Sequence, residues 1–314
     1  MKLRSSMAGL ALVGTLAVAF AGCGQVNQVR AQKAFKDANK LYAASDWRAA
    51  AAKYEEALAL FPENAYSYFF LANSLDNMYR PTRVGEPDND SLLTRAIENY
   101  KLAAQNISDP LWKRRSLEFL VAAYGPDKLN DPTQAEPIVK QMIELDPADP
   151  ANYFQLSSIY ENSGEYELAE QTLMRAKEAK PNDPAVFMQI AGYYNRQGDF
   201  AKTMEALGQR VALEPNNPEA YYTVSTYYWD KAYRDFRLKD AEKLDMVMKG
   251  IESVDKAISI KDDYMEAIAY KNLLLRLQAN LIKDPARQQA LIREADQLRD
   301  RAEQMRKAKN TTAS

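Results

Sequence analysis

The 314-residue chain contains no histidine and a single cysteine, Cys23. Without histidine, the commonest general base and metal ligand is missing. With one cysteine no intrachain disulfide can form, so the fold has to rest on packing. Glycine is scarce, at 11 residues, and no Gly-rich phosphate loop or serine elbow motif is present. An excess of one charge is also missing. The 41 basic and 43 acidic residues are mixed along the chain, for a net charge of −2. A nucleic-acid surface needs a basic stripe that releases counterions, and there is none. Carboxylates are plentiful, but none forms a recognisable catalytic pair in sequence. Asp88, Asn89 and Asp90 superficially suggest a calcium loop, yet lack its glycine and terminal glutamate. The expectation is a non-enzyme without metal or cofactor.

What is present begins at the N-terminus. Lys2 and Arg4 precede an apolar, small-residue stretch from Met7 to Ala21, which ends in Phe20-Ala21-Gly22-Cys23. About fifteen apolar residues fall short of the twenty or so that cross a bilayer. The stretch fits the hydrophobic region of a signal peptide. The only cysteine sits where small residues end it, and this resembles the bacterial lipoprotein cleavage motif. The resemblance implies a signal peptide over residues 1–22, lipid attachment at Cys23 and a polar tether over 23–30. By analogy with Gram-negative sorting, Gly24 points to the outer membrane, facing the periplasm. Removal of residues 1–22 takes away Lys2 and Arg4 and no acid, leaving 39 basic and 43 acidic residues. No polybasic patch then assists membrane binding, so the lipid is the anchor.

The organising stretch is Pro150 to Pro181. Tyr153, Leu156, Ser157 and Tyr160 follow i, i+3, i+4, i+7, one face of a helix. Gly164 breaks the chain, Ala169, Leu173 and Ala176 mark a second helix, and Pro181 closes the unit. A copy follows in Phe187, Ile190, Ala191, Tyr194, Gly198, Thr203 and Leu207. Pro147, Pro181 and Pro215 are each 34 residues apart. Neither helix can bury its stripe alone, so each must pack on its partner and on a neighbouring copy. The pattern resembles the tetratricopeptide repeat (TPR). It departs from that family at Arg210, where the family favours alanine. The resemblance implies an all-α, right-handed solenoid of antiparallel helix pairs, with about six repeats and a capping helix pair.

The repeats are expected at 31–64, 65–109, 114–149, 150–183, 184–217 and 218–263, the cap at 264–307 and a disordered tail at 308–314. In the first, Ala34, Ala38, Leu41, Ala50, Tyr54 and Ala57 fill the packing positions. The small residues Ala38 and Ala50 let the two helices approach closely. The second repeat carries about a dozen extra residues around Arg80–Ser91, rich in Pro, Gly and Asp and expected to interrupt the helix. The sixth carries a similar excess over Asp230–Lys243. That segment has no Pro or Gly and is expected to lengthen helices.

In TPR families the first helix of each repeat lines a concave groove. Carrying those positions over gives Phe35, Asn39, Tyr42, Tyr66, Phe69, Asn73, Phe154, Ser158, Met188, Asn195, Tyr222, Thr226 and Trp229. Aromatics there supply contact area, and amides can bond the backbone of an extended peptide. The family's carboxylate clamp uses a lysine where this chain has Phe35. A second candidate surface is the edge from which the insertions project, with Tyr233, Phe236 and Arg237 as anchor types. The implied function is a lipid-anchored scaffold for envelope proteins or peptides, in outer-membrane protein assembly, pilus biogenesis or cell-wall complex docking. The alternative is a lipoprotein that binds a glycan or small molecule on the same framework.

Overall fold

Four helix starts in this chain share a capping aspartate followed by proline. Asp109, Asp131, Asp149 and Asp183 each accept backbone N–H bonds at a helix N-cap, and each is followed by a proline at the first helical position. Asn217 caps Pro218 in the same way. Proline fits there because its missing N–H has no partner in a first turn anyway. Several turns between paired helices place a residue in the left-handed region. Gly164 and Gly198 supply it at φ 78°, whereas Ser45 (φ 60°) and Asn130 (φ 50°) supply it elsewhere at some steric cost.

The structure is a computed structural model that describes residues 10–312, with side chains described over 25–309. Among the described residues there are fourteen α-helices and no strand. They fall into two compact units, Met1–Pro147 and Ala148–Ser314. The first holds α1 (Leu10–Ala43), α2 (Trp47–Leu60), α3 (Ala65–Met78), α4 (Pro87–Asn106), α5 (Pro110–Tyr124) and α6 (Pro132–Leu145). The second holds α7 (Pro150–Asn162), α8 (Tyr166–Ala179), α9 (Pro184–Arg196), α10 (Phe200–Leu213), α11 (Pro218–Arg234), α12 (Asp240–Ile260), α13 (Met265–Leu281) and α14 (Pro285–Thr312). Within each unit every helix packs on the next in sequence, the pattern of a TPR-type stack.

The small positions are where the helices touch. Ala38, Ala50, Ala57, Ala72, Ala96, Ala103, Ala169, Ala176 and Ala191 are all fully buried. Tyr54 and Tyr100, also fully buried, fill the space between pairs; burying a side chain of that size contributes roughly 1.5–3 kcal/mol. Gly250 in α12 plays the same part in the sixth repeat, where a Cβ would lie 2.9 Å from Leu274 Cδ2. Arg210 is the exception. It is buried, and its long stem carries the guanidinium to Glu214 (3.0 Å), Thr223 Oγ1 (3.3 Å) and Met188 Sδ (3.4 Å).

Three boundaries differ from expectation. Residues 25–30, read as a tether, are helical and exposed, a direct continuation of α1. The Arg80–Ser91 insertion is only partly a loop. After a single 3-10 turn at Pro81–Arg83, α4 starts at Pro87. Asp88 and Asp90 lie in its first turn, where acids favour the helix dipole. Asn89 staples the turn, accepting from Arg80 N (2.9 Å) and donating to the carbonyls of Arg80 and Arg83 (3.1 Å each). The last helix runs to Thr312, past the expected boundary at 307. The sixth-repeat excess does lengthen helices: α11 has 17 residues and α12 has 21. Of the signal-peptide assignment, residues 1–9 lie outside the described residues, as does the side chain of Cys23. No helix among the described residues is long and apolar enough to cross a membrane.

Candidate functional site

In unit 1 the groove positions form a wall of rings. Phe35 lies 5.8 Å from Tyr54 and 6.2 Å from Phe70, and Tyr42 lies 5.3 Å from Phe70. Phe69 is buried among Phe70, Tyr100, Trp112 and Phe119, and Tyr66 meets Trp112 edge-on at 5.9 Å. The amide oxygens expected to meet a peptide are already used. Asn39 Oδ1 accepts from Tyr54 OH at 2.7 Å. Asn73 is 5% exposed; its Oδ1 accepts from Tyr42 OH (2.7 Å) and Asn77 Nδ2 (2.9 Å), and its Nδ2 donates to Tyr100 OH (3.1 Å). Tyr100 also reaches Asp76, which Lys128 pairs. Burial pushes the phenols of Tyr42, Tyr54 and Tyr100 up, so they stay neutral donors. The polar groups of this wall hold the fold.

Unit 2 is more open. Phe154 and Ser158 line a cavity of about 330 Å³ with Glu161, Asn162, Gln189 and Arg196. Arg196 forks onto Glu161, with Nε–Oε1 at 2.7 Å and Nη2–Oε2 at 2.9 Å. Met188 is half-buried beneath Arg210, and Asn195 is exposed. Thr226 donates to the Thr223 carbonyl within its own helix.

The groove and edge candidates merge here. Tyr222 meets Tyr264 at 5.4 Å and Tyr270 at 5.5 Å. Tyr270 meets Trp229 at 5.7 Å, and Trp229 stacks on Tyr233 at 4.7 Å with 10° between planes. Five rings thus form one strip from α13 across α11 to the α11–α12 bend. Tyr233 is 62% exposed, and Phe236 at the tip of the bend is 89% exposed. The bend is clamped. Asp235 accepts from Lys231 Nζ (2.8 Å), from Arg237 Nε and Nη2 (2.9 Å each) and from the Arg237 backbone (3.1 Å). Those hydrogen bonds, with Arg237 first and Lys231 next, hold the Asp235 carboxyl well below the usual carboxylate range. Arg237, expected to anchor a partner, also shapes the bend that carries Phe236, and its side chain remains 76% exposed. Burial pushes the phenols of Tyr264 and Tyr270 up to about 12.

Tyr264, Tyr270 and the Glu161–Arg196 pair escaped sequence reasoning. The two tyrosines lie in the region read as a cap. The ion pair joins residues one repeat apart, a spacing that the 34-residue period could have exposed. Among the described residues, no group of three or more metal-ligating side chains is placed to hold an ion.

Fold and geometry together define a helical-repeat protein of the TPR type. TPR family models match residues 128–191 and residues 35–76. Among solved structures, the C-terminal part of a TPR repeat-containing protein from Cytophaga hutchinsonii is 15% identical and superposes with a TM-score of 0.57, covering 84% of this chain and 95% of that one. YrrB, described as a TPR protein with an unusual peptide-binding site, is 19% identical with a TM-score of 0.42, covering 60% and 89% of the two chains. MamA from Desulfovibrio magneticus RS-1 is 15% identical with a TM-score of 0.43, covering 64% and 97%. At these identities the likeness concerns the fold. Comparison with curated proteins finds no match.

Proposed function

We propose that this chain is a non-catalytic scaffold, lipid-anchored through Cys23, that docks proteins of the bacterial envelope on unit 2. The observation that carries the docking reading is the aromatic strip from Tyr264 to Tyr233, with the exposed Phe236 three residues further on in the bend. Tyr233 and Phe236 are exposed, while Tyr222, Trp229, Tyr264 and Tyr270 are half-buried against the core; rings held on a rigid support give large contact area at low entropic cost. The clamp around Asp235 supplies that rigidity. Repeats of this type have no function written in the fold itself, so the surface decides. The anchor reading rests on the position of Cys23 at the end of the apolar stretch.

Two experiments test these parts. The full chain and its Cys23→Ser variant are expressed in a Gram-negative host and fractionated. Wild type is expected in the membrane with acyl mass on residue 23, and the variant in the soluble fraction; a wild type that is soluble and unacylated refutes the anchor. A pull-down from detergent-solubilised envelope then tests docking. Stable protein partners support the scaffold, whereas retention of glycan alone supports a sugar-binding lipoprotein.

A further inference from the structure

Antiparallel stacking puts the starts of α3 and α5 and the ends of α2, α4 and α6 along one edge of unit 1. The body of α1 enters the stack at the same edge, where Ala31 is its first buried residue. A cavity of about 430 Å³ shows the elements meeting there, lined by Ala31, Phe35, Phe61, Tyr66 and Ile107. Large apolar side chains are unevenly exposed between this edge and the opposite one. Of the eight exposed among the described residues of unit 1, six lie at the α1-entry edge or on the helix leading into it: Val26, Val29, Tyr66, Leu102, Leu111 and Leu145. Only Val84 and Leu129, in the connections at the other edge, do not. Val29 is 67% exposed, Leu145 51% and Leu111 49%.

We infer that this edge of unit 1 rests on the bilayer interface. The inference rests on the anchor reading, because α1 runs without interruption from Cys23, the residue that would carry the lipid, into the stack. Val26 and Val29 stand only three and six residues beyond Cys23. Side chains that would be out of place in water are thus concentrated where the chain emerges from the membrane. Tyr66, with Trp112 against it, is the ring type that settles at headgroup level. The nearby charges are balanced, Arg30, Lys33 and Lys113 against Glu63, Asp109 and Asp146. Contact is therefore driven by apolar burial rather than by attraction to anionic lipid. An upright α1 would hold Ala31 about 12 Å from Cys23, at 1.5 Å per residue. Contact of Leu111 with the interface requires α1 to tilt toward the membrane plane.

The test places a reporter at each edge. The full lipidated chain is prepared as Leu111→Trp and separately as Leu129→Trp, and reconstituted in neutral phosphatidylcholine vesicles with or without brominated acyl chains. The emission added by each new tryptophan is taken by difference from wild type. The Leu111→Trp signal is expected to lose about half its intensity in brominated vesicles, with the Leu129→Trp signal nearly unchanged. If the protein floats with the vesicles but Leu111→Trp is not quenched, α1 stands upright and the inference fails while the anchor stands. If the protein does not float, the anchor reading fails and takes the inference with it.

Discussion

Counted from the first residue of each repeat (Ala65, Pro184, Pro218), position 9 is Asn73 in unit 1 and Thr226 in unit 2. The first is buried and bonded to three side chains; the second is half-buried and bonded only to a carbonyl of its own helix. The contrast extends to the rings. Those of unit 1 close on one another around Phe70 and Trp112, whereas those of unit 2 run outward to Tyr233 and Phe236. Exposed apolar side chains follow suit. In unit 1 they gather where α1 enters, and in unit 2 the most exposed lies at the α11–α12 bend. One repeat position can thus be structural in one unit and available in another. What decides is whether a tyrosine from the second helix reaches across to consume it.

The largest effect expected from this comparison is alkaline. Tyr54 and Tyr100 in unit 1 and Tyr264 and Tyr270 in unit 2 have phenols raised by burial, the latter two to about 12. The unfolded phenol titrates near 10. A raised folded pKa means that the native state holds its proton longer. This stability is fully present below about pH 10 and drains away as pH rises through about 12. Helical ellipticity followed from pH 8 to 12 is expected to hold to about 10 and then collapse. Retention of full helicity at pH 12 would show that these hydroxyls are not buried as described.

Next comes the position-9 pair itself. Asn73→Ala strands the hydroxyl of Tyr42, leaves that of Tyr100 with Asp76 alone, and is expected to cost about 2–3 kcal/mol in urea unfolding. Thr226→Ala is expected to stay within about 0.5 kcal/mol of wild type. Equal costs would erase the distinction between the units. A smaller and more general effect is expected at position 8, where Ala191 is fully buried. Ala191→Leu overpacks that contact and is expected to cost about 1–3 kcal/mol, lowering the melting temperature. An unchanged melting temperature would mean that the contact yields without strain.

The repeat frame was legible because it is local. Proline spacing, the left-handed glycines at 164 and 198 and the alanines at 38, 50, 169 and 191 each leave a mark within one 34-residue window. The insertion interrupts the helix as its Pro, Gly and Asp content predicts, but over a shorter span than Arg80–Ser91. Pro87 followed by Asp88 and Asp90 is instead a helix start. The fate of Asn39 and Asn73 was not legible, because Tyr54 and Tyr100 stand 15 and 27 residues away and only packing shows that they arrive. The candidate site was half legible. Sequence reading names Tyr222 and Trp229 as groove and Tyr233 and Phe236 as edge; the Trp229–Tyr233 stack joins the two, and Tyr270, from another helix, ties Tyr222 to Trp229.

The central claim is that unit 2 docks partners while the wall of unit 1 supports the fold. The most direct measurement is the yield of envelope partners recovered by the full chain, by a Trp229→Ala/Tyr233→Ala/Phe236→Ala variant and by a Tyr66→Ala/Leu111→Ala variant, each first shown to keep the wild-type helical spectrum. Loss of partners with the unit 2 variant and retention with the unit 1 variant is the predicted result. Undiminished recovery by the unit 2 variant would contradict the account.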